Sequence, residues 1–354
     1  MNNFLICLCA LLWLPFSVRA WNAEGHMVVA QIAYYHLNPV AKARCDALIA
    51  VSLGSFNSVG TSNFVTSATW ADNFKSALGT GGWHYIDLPI NANLDGTSTN
   101  IGVDSSNVVF AINLCITNLQ NPGLSQSNQA VSLRYLIHFA GDIQQPLHCS
   151  TDVSAAHPAG DAGGNLFSIT SVNWGNLHSL WDSGGGFLFD SLSAPLTTAN
   201  QNTLNAKIAL IEAAYPYNYD TNRTIPNPMA WAQEGMNLAK TNCYVGITNS
   251  TTPTTNYLNT AMATTEQRMA QGGHRLADLL NTLFPPMVLT SLTHTNGNFG
   301  FSWNTVSNSS YKVQWKQQLS DPTWNDLTNI TATNSSASFK EKFNQTQRFY
   351  RVSQ

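Results

Sequence analysis

The chain has 354 residues and a formal net charge of −3. This charge provides no overall basic surface of the kind that holds duplex DNA by its phosphates. The length exceeds that of an ordinary single domain and suits one large domain followed by a small one.

The N-terminal segment predicts a secretory signal peptide over residues 1–20. An apolar run from Phe4 to Phe16 precedes Val18-Arg19-Ala20, the small-x-small pattern that signal peptidase cleaves. The run is short for a membrane span, so a membrane anchor is the less favoured alternative. Cleavage would start the mature chain at Trp21 and deliver it outside the cell or to the periplasm. No later segment is apolar enough to cross a bilayer, so stable membrane insertion is not expected.

The cysteines of the mature chain predict disulfide bonds. Four of them follow the signal segment: Cys45, Cys115, Cys149 and Cys243. An even number in an oxidising compartment allows two disulfides, and the sequence leaves all three connectivities open.

Residues 21–286 form a predicted domain that is mainly α-helical, because apolar residues recur there with helical spacing. The predicted helical runs are 25–37, 40–49, 63–78, 108–119, 130–143, 204–215, 229–243 and 256–283. Loops rich in Gly, Asn and Ser at 92–106 and 155–165 are long enough to bind ligands.

The periodicity changes from helical to alternating after Phe284-Pro285-Pro286, where two prolines stop the last helix. Short alternating runs follow at 299–303, 311–316, 338–343 and 348–352. We therefore expect a small all-β domain at 287–354, similar to a fibronectin-type-III-like or immunoglobulin-like sandwich. Its strands carry no catalytic pattern, and the sequence does not indicate its partner.

Two histidine–aspartate pairs indicate a metal centre. The segment HFAGDIQQPLH supplies His138, Asp142 and His148, and NLHSLWD supplies His178 and Asp182. Residues four apart share one face of a helix, so both members of a pair can contact the same ion. Imidazole nitrogen and carboxylate oxygen are typical zinc ligands.

Four further residues extend this ligand set. TWADNFK supplies Asp72, and GGWHYIDLP supplies His84. Cleavage after Ala20 would free the α-amine of Trp21, whose pKa of about 8 lets it bind a metal together with its own carbonyl oxygen. His26 could complete the same site. These residues and the two pairs give enough ligands for three zinc ions with shared carboxylates.

In this order the motifs resemble the zinc-dependent, single-strand-specific S1/P1 or plant type I nucleases. The pattern consists of an N-terminal Trp, W-A-D, W-H-[FY]-I-D, H-x-x-G-D-x-x-Q-P-[LM]-H, G-G-N and N-L-H-x-x-W-D, and it covers nearly all of residues 21–283. The resemblance implies a phospholipase C/nuclease-like helical fold and three zinc ions. It also implies cleavage of single-stranded DNA and RNA to 5′-nucleotides, with 3′-nucleotides as further substrates.

The same resemblance implies a role for each motif residue. One zinc would take Asp72, His84, His138 and Asp142; a second would take Trp21, His26 and the bridging Asp142; the third would take His148, His178 and Asp182. A zinc-bound hydroxide is then expected to attack phosphorus in line.

Substrate contacts are also implied. Lys75 would stabilise charge in the transition state, without the bidentate fork of an arginine. Tyr85 would stack on a base whose edge is hydrogen-bonded by Asp87 and Asn165. Four histidines lie outside the motifs and receive no role: His36, His157, His274 and His294.

Two rival functions remain at this level. A zinc-dependent phospholipase C with a C-terminal lipid-binding β domain shares the N-terminal Trp, the three-zinc cluster and the H-x-x-x-D-x-x-x-x-x-H spacing. Its last ligand is typically glutamate, however, whereas Asp182 stands here, and W-H-Y-I-D and G-G-N favour the nuclease. The other rival is a secreted zinc-scavenging or adhesive protein, against which the open metal positions and the base pocket argue.

Overall fold

A computed structural model describes residues 21–58, 60–121, 123–224, 226–305, 309–342 and 347–353. In these ranges the chain is mainly helical up to Leu283 and forms antiparallel strands afterwards, which confirms the predicted order of the two kinds of structure. The proposed signal peptide, residues 1–20, lies outside the described residues. A search of the described helices finds none with the length and apolar character needed to cross a bilayer.

Every described α-helix except α3 begins at a side chain that caps it. Asn38, for example, accepts hydrogen bonds from the backbone N–H groups of Val40 and Ala41, and Pro39 occupies the first helical position. The helices are α1 (Ala23–His36), α2 (Pro39–Ile49), α3 (Trp70–Leu78), α4 (Val108–Gln120), α5 (Gln126–Asp142), α6 (Leu177–Asp182), α7 (Thr198–Ala214), α8 (Pro228–Leu238) and α9 (Thr255–Leu283).

The helical core is built around α1, α5 and α9. Helix α9 packs along α1 and also contacts α5, while α4 packs against α5. At Gly273 helix α9 comes close to α1. A Cβ atom at this position would lie 2.4 Å from Cγ2 of Ile32, which is too close for any side chain. This contact holds α1 against the long C-terminal helix.

A short parallel pairing aligns two segments that carry predicted metal ligands. Strand β1 (Pro89–Ile90) pairs with β2 (Thr151–Asp152). The Ile86 N–H donates to the carbonyl oxygen of His148 at 2.8 Å, which continues the alignment toward His84. The residues that follow His84 therefore run beside those around His148.

The C-terminal strands form two three-stranded antiparallel sheets. They are β3 (Leu289–Thr295), β4 (Asn298–Asn304), β5 (Ser310–Lys316), β6 (Asn325–Thr331), β7 (Ser336–Lys342) and β8 (Phe349–Ser353). One sheet has the order β3-β4-β7 and the other β6-β5-β8. Phe301 and Trp303 of the first sheet pack with Tyr311 and Val313 of the second in one apolar cluster.

Some predicted elements have different boundaries in the structure. The run 63–78 divides into a 3₁₀ turn, Thr66–Thr69, and α3, and the run 229–243 divides into α8 and a π-helical turn, Ala239–Cys243. Strands β3 and β6 were missed because both are rich in polar residues and expose most of their side chains, with β3 exposed along its whole length. Phe343 of the predicted strand 338–343 lies outside the described residues.

The disulfide prediction is wrong for this structure. All four cysteines beyond residue 20 are buried free thiols. Cys45, Cys115 and Cys149 belong to the core cluster around α5, whereas Cys243 packs in a different cluster around Trp181. The Cys149 thiol instead donates a hydrogen bond to the carbonyl oxygen of Ile143 at 3.2 Å. These side chains behave as small apolar residues.

Replacing Gly273 by alanine should destabilise the protein by about 1–3 kcal/mol, because the added methyl group overpacks the contact between α9 and α1. Gly81→Ala is the control, since no atom lies within 4 Å of a Cβ built there. Denaturant unfolding followed by circular dichroism measures both variants. Equal stability of Gly273→Ala and wild type would contradict the close approach of these helices.

Candidate metal centre

Helix α5 and the turn after it provide the centre of the site. His138 and Asp142 lie four residues apart in the last turns of α5, both fully buried. Pro146 begins the 3₁₀ turn Pro146–Cys149, which carries His148 back toward them. The four-residue spacing therefore gives the shared face that the sequence predicts.

The first group contains Asp72, His84, His138 and Asp142. Nδ1 of His84 lies 3.0 Å from Oδ2 of Asp142 and 3.0 Å from Nε2 of His138. Nε2 of His138 lies 3.2 Å from the same Asp142 oxygen. Asp72 is more distant, with its Oδ1 at 3.9 Å from His84 and 4.0 Å from His138. These separations leave room for an ion between the four side chains.

The second group joins His26 of α1 to the other oxygen of Asp142. Nε2 of His26 lies 3.4 Å from Oδ1 of Asp142, and the His26 ring stacks on His138 at 3.8 Å between centroids. Burial, followed by the nearby His138, lowers the pKa of His26 to about 3, so its imidazole is neutral and able to act as a ligand. Asp142 therefore faces both groups with separate oxygens.

Trp21 is held next to this second group. Its side chain is fully buried, and the indole N–H donates to the carbonyl oxygen of Gly141 at 2.9 Å. The next residue, Asn22, donates its backbone N–H to the carbonyl oxygen of Asp182 and accepts from the Gly25 N–H as the cap of α1. The start of α1 is thus anchored to Gly141, which precedes Asp142, and to Asp182.

The third group contains His148, His178 and Asp182. Nε2 of His148 and Nε2 of His178 face each other at 3.2 Å. The Asp182 carboxylate lies 3.6 Å from the first nitrogen and 3.3 Å from the second. Asp182 also accepts from the buried Gln145 side chain at 2.8 Å, a contact that the sequence did not indicate.

The hydrogen bonds of the histidines show that these residues fit a cation. Nδ1 of His138 faces Ala68 O at 2.6 Å, that of His148 faces His84 O at 2.9 Å, and that of His178 faces Gly163 O at 2.7 Å. A carbonyl oxygen can only accept, so Nδ1 carries a proton in each ring and Nε2 is the nitrogen left to bind a metal ion. The two Nε2 atoms of His148 and His178 would repel each other without a proton or a metal ion between them.

Unsatisfied polar atoms lead to the same conclusion. Within the described residues, both carboxylate oxygens of Asp142 and both ring nitrogens of His26 are buried without a hydrogen-bond partner. Burying such atoms is costly unless a charge or hydrogen bond compensates. Three of the four clusters able to hold a metal ion come from this set of side chains. Zinc accepts both nitrogen and oxygen ligands of this kind.

The predicted substrate residues are brought together only in part. Lys75 lies beside the first group, with Nζ 2.9 Å from Oδ1 of Asp72. Tyr85 and Asp87 line a cavity together with His178 of the third group. Burial, followed by the charge of Asp161, raises the pKa of Asp87 to about 6. Asn165 does not line this cavity, and its side-chain amide donates to the Ala162 carbonyl oxygen at 2.8 Å.

The loop beside this cavity is held by an aspartate that the sequence did not single out. Asp161 accepts hydrogen bonds from the Tyr244 hydroxyl at 2.8 Å and from the Asp152 N–H at 2.9 Å. At Gly163 φ is +60°, and a Cβ atom would lie 2.4 Å from Leu147 O, so only glycine fits there. Asp161 stands two residues before the G-G-N motif, and nothing in the sequence marked Tyr244 as its partner.

Comparison with known proteins gives consistent matches over the helical part. The sequence model of the S1/P1 nuclease family matches residues 21–285. "Nuclease P1" of Penicillium citrinum is 28% identical over 290 residues, which cover 74% of this chain and 97% of that protein. "Endonuclease 2" of Arabidopsis thaliana is 28% identical over 293 residues, 77% of this chain and 94% of that protein.

Among solved structures, "Alpha Toxin from Clostridium Absonum" matches with a TM-score of 0.38 and 11% identity, over 92% of this chain and 83% of that chain.

Asp142→Asn should lower the zinc content more than Asp182→Asn, because Asp142 directs one oxygen to each of two groups and Asp182 belongs to one. Elemental analysis after gel filtration in zinc-free buffer measures the loss. Asp46→Asn, at an exposed residue that belongs to none of these groups, should leave the content unchanged. Equal losses in Asp142→Asn and Asp182→Asn would contradict the bridging position of Asp142.

Proposed function

The chain belongs to the S1/P1 nuclease family, whose model matches residues 21–285, and from this membership we propose a zinc-dependent endonuclease that hydrolyses single-stranded DNA and RNA to 5′-nucleotides. The observation that carries the proposal is the pair of Nε2 atoms of His148 and His178, which face each other at 3.2 Å. Both nitrogens are free to bind a metal ion once deprotonated, and a metal ion at this position suits phosphate chemistry. Hydrolysis of 3′-nucleotides is a further activity of the same site.

We assign three zinc ions to this site. One would be held by Asp72, His84, His138 and Asp142, a second by Trp21, His26 and Asp142, and a third by His148, His178 and Asp182. The separate directions of the two Asp142 oxygens support its role as a shared ligand. Bound zinc supplies the Lewis acidity that activates water and neutralises charge on phosphate oxygens.

The side chains around the ligands position the substrate. Lys75 adds a positive charge beside Asp72, where it attracts a phosphate and stabilises charge that builds up during hydrolysis. Because Lys75 has one ammonium group in place of a guanidinium, it binds the phosphate as a point charge.

A base next to the scissile phosphate would enter the cavity lined by Tyr85 and Asp87. Tyr85 is half-buried and offers its ring for stacking. Asp87 and the amide oxygen of Asn165 would accept hydrogen bonds from the edge of the base. Since a base must leave its stack to reach this cavity, the site favours single strands over duplex.

Processing of the N-terminus belongs to the same proposal. Cleavage after Ala20 would make the α-amine of Trp21 available as a ligand, in a secreted or periplasmic enzyme. The fully buried Trp21 side chain and its hydrogen bond to Gly141 support this assignment, because they hold residue 21 beside His26 and Asp142.

We also propose a division into a nuclease domain, residues 21–286, and a small β domain, residues 287–354. The strand orders β3-β4-β7 and β6-β5-β8 around one apolar cluster suit a fibronectin-type-III-like sandwich. The β domain contributes none of the assigned zinc ligands.

The function is tested with purified mature protein on single-stranded DNA, its duplex, single-stranded RNA and phosphatidylcholine vesicles. Single strands should be cleaved to products with 5′-phosphates, and the duplex more slowly by roughly tenfold or more, because unstacking a base costs a few kcal/mol. EDTA should abolish cleavage and added zinc should restore it. Hydrolysis of the lipid alone would overturn the proposal in favour of a phospholipase C.

The ligand role of the N-terminus is tested by one extra alanine ahead of Trp21. Activity should fall by about 10–100-fold and zinc content should also fall, because the amine of residue 21 becomes an amide. The control places a protease site ahead of Trp21, so that cleavage regenerates the native terminus and restores activity. An extended enzyme with full activity and full zinc content would remove Trp21 from the ligand set.

A further inference from the structure

A further cluster that could hold a metal ion lies outside the nuclease centre. It joins His36 at the C-terminal end of α1, Glu212 in the last turn of α7 and His274 in the second half of α9. Ten residues of α1 separate His36 from His26, which places the cluster about 15 Å farther along that helix. The three residues therefore form a site of their own.

The ligand atoms of this cluster are arranged as around one ion. Oε1 of Glu212 lies 2.8 Å from Nε2 of His274 and 3.3 Å from Nε2 of His36. The other oxygen of Glu212 lies 3.1 Å from Nε2 of His36. The corresponding separations in the third group are 3.2, 3.3 and 3.6 Å. Ligands about 2.0–2.2 Å from a tetrahedral zinc are about 3.3–3.6 Å apart, so the Glu212 carboxylate would move away from the histidines by a few tenths of an ångström to admit an ion.

Neighbouring residues fix the orientation of both imidazoles. The His36 ring stacks on Tyr217 at 4.1 Å between centroids with an interplanar angle of 9°. The His274 ring meets the same Tyr217 at 5.1 Å and 87°. Asn281 donates to the backbone carbonyl oxygen of His36 at 3.0 Å, which fixes the end of α1. The two rings are thus held before any ion arrives, which lowers the entropy cost of binding.

The cluster combines burial with access for an ion. The His274 side chain is fully buried, whereas those of His36 and Glu212 are each 24% exposed. Two imidazoles and one carboxylate are a donor set that suits zinc and related divalent transition metals. The exposed side leaves a fourth position for water.

We propose that His36, Glu212 and His274 bind one additional divalent ion of the zinc class, which ties the C-terminal end of α1 to α7 and α9. The ion is structural and lies apart from the nuclease chemistry. Its site is weaker than the nuclease centre because it has a single carboxylate and three ligands, none of them shared with a second ion. The proposal does not depend on the proposed nuclease function.

The test is a zinc titration of the metal-depleted full-length mature protein in competition with a chromophoric chelator. Wild type should bind one more zinc ion than Glu212→Gln, and the additional ion should be the first lost as chelator is added. Glu212→Gln keeps the size of the side chain and its hydrogen-bonding capacity, so the fold should persist. His36→Gln removes a ligand at a helix end and should lose the same single ion.

Glu266→Gln is the matched control. Like Glu212→Gln it replaces one glutamate by glutamine, but Glu266 lies on α9 and belongs to none of the metal-binding clusters. It should bind as many zinc ions as wild type. Nuclease activity of Glu212→Gln should remain near wild type, which separates loss of this ion from damage to the nuclease centre. Equal zinc stoichiometry in wild type, Glu212→Gln and His36→Gln would overturn the proposal and leave the cluster as a hydrogen-bonded triad.

An independent measurement uses wild-type crystals soaked in zinc. Diffraction at the zinc absorption edge should show an anomalous peak about 2.0–2.2 Å from Nε2 of both histidines and from Glu212. A difference map without a peak there, with peaks present at the nuclease centre, would contradict the site even if the nuclease function is correct. Absence of peaks at the nuclease centre alone would contradict the proposed function and leave this site intact.

Discussion

The structure depends on the fixed protonation of three buried histidines. The backbone carbonyls of Ala68, His84 and Gly163 each accept from an Nδ1–H, so the three rings direct Nε2, the nitrogen that can bind a metal, inward. Lone pairs and carboxylates gathered in an apolar interior are unfavourable unless a cation compensates them. Zinc binding by these side chains would therefore be coupled to folding of the helical part, as in other proteins whose ligands are assembled only in the folded state.

Each supporting carbonyl comes from a different segment, so many elements contribute to the geometry of the centre. Ala68 lies in the turn before α3, and Gly163 lies in the loop that Asp161 holds through Tyr244. The segment of His84 is aligned with that of His148 by the short pairing of β1 and β2. A change at Ala68, Gly163, Asp161 or Tyr244 would therefore shift an imidazole, although none of these four residues belongs to the assigned ligands. This explains how short irregular turns can be as important to the site as the long helices.

Local spacing explains which parts of the site could be predicted. The pairs His138/Asp142 and His178/Asp182 follow from helical periodicity alone, and the long helices were identified for the same reason. The supports from Gln145 and Tyr244 could not be predicted, because they act through contacts between residues distant in sequence. Strands β3 and β6 were missed because their sequences, rich in Thr, Ser and Asn, do not alternate between apolar and polar residues. The disulfides were expected from compartment and cysteine number, but side-chain packing places Cys243 in a separate cluster.

The electrostatics of the centre resolve a contradiction in the sequence, which carries a net charge of −3 and yet belongs to a family of nucleases. Three divalent ions would exceed the charge of Asp72, Asp142 and Asp182, so the centre would become positive although the chain as a whole is negative. Such a field attracts one phosphate over a short range, within about 10 Å at 0.1 M salt, and does not hold a long duplex along its backbone. A protein of this kind selects nucleic-acid strands that can bring a phosphate close to buried ions. That requirement favours flexible single strands before any base is recognised.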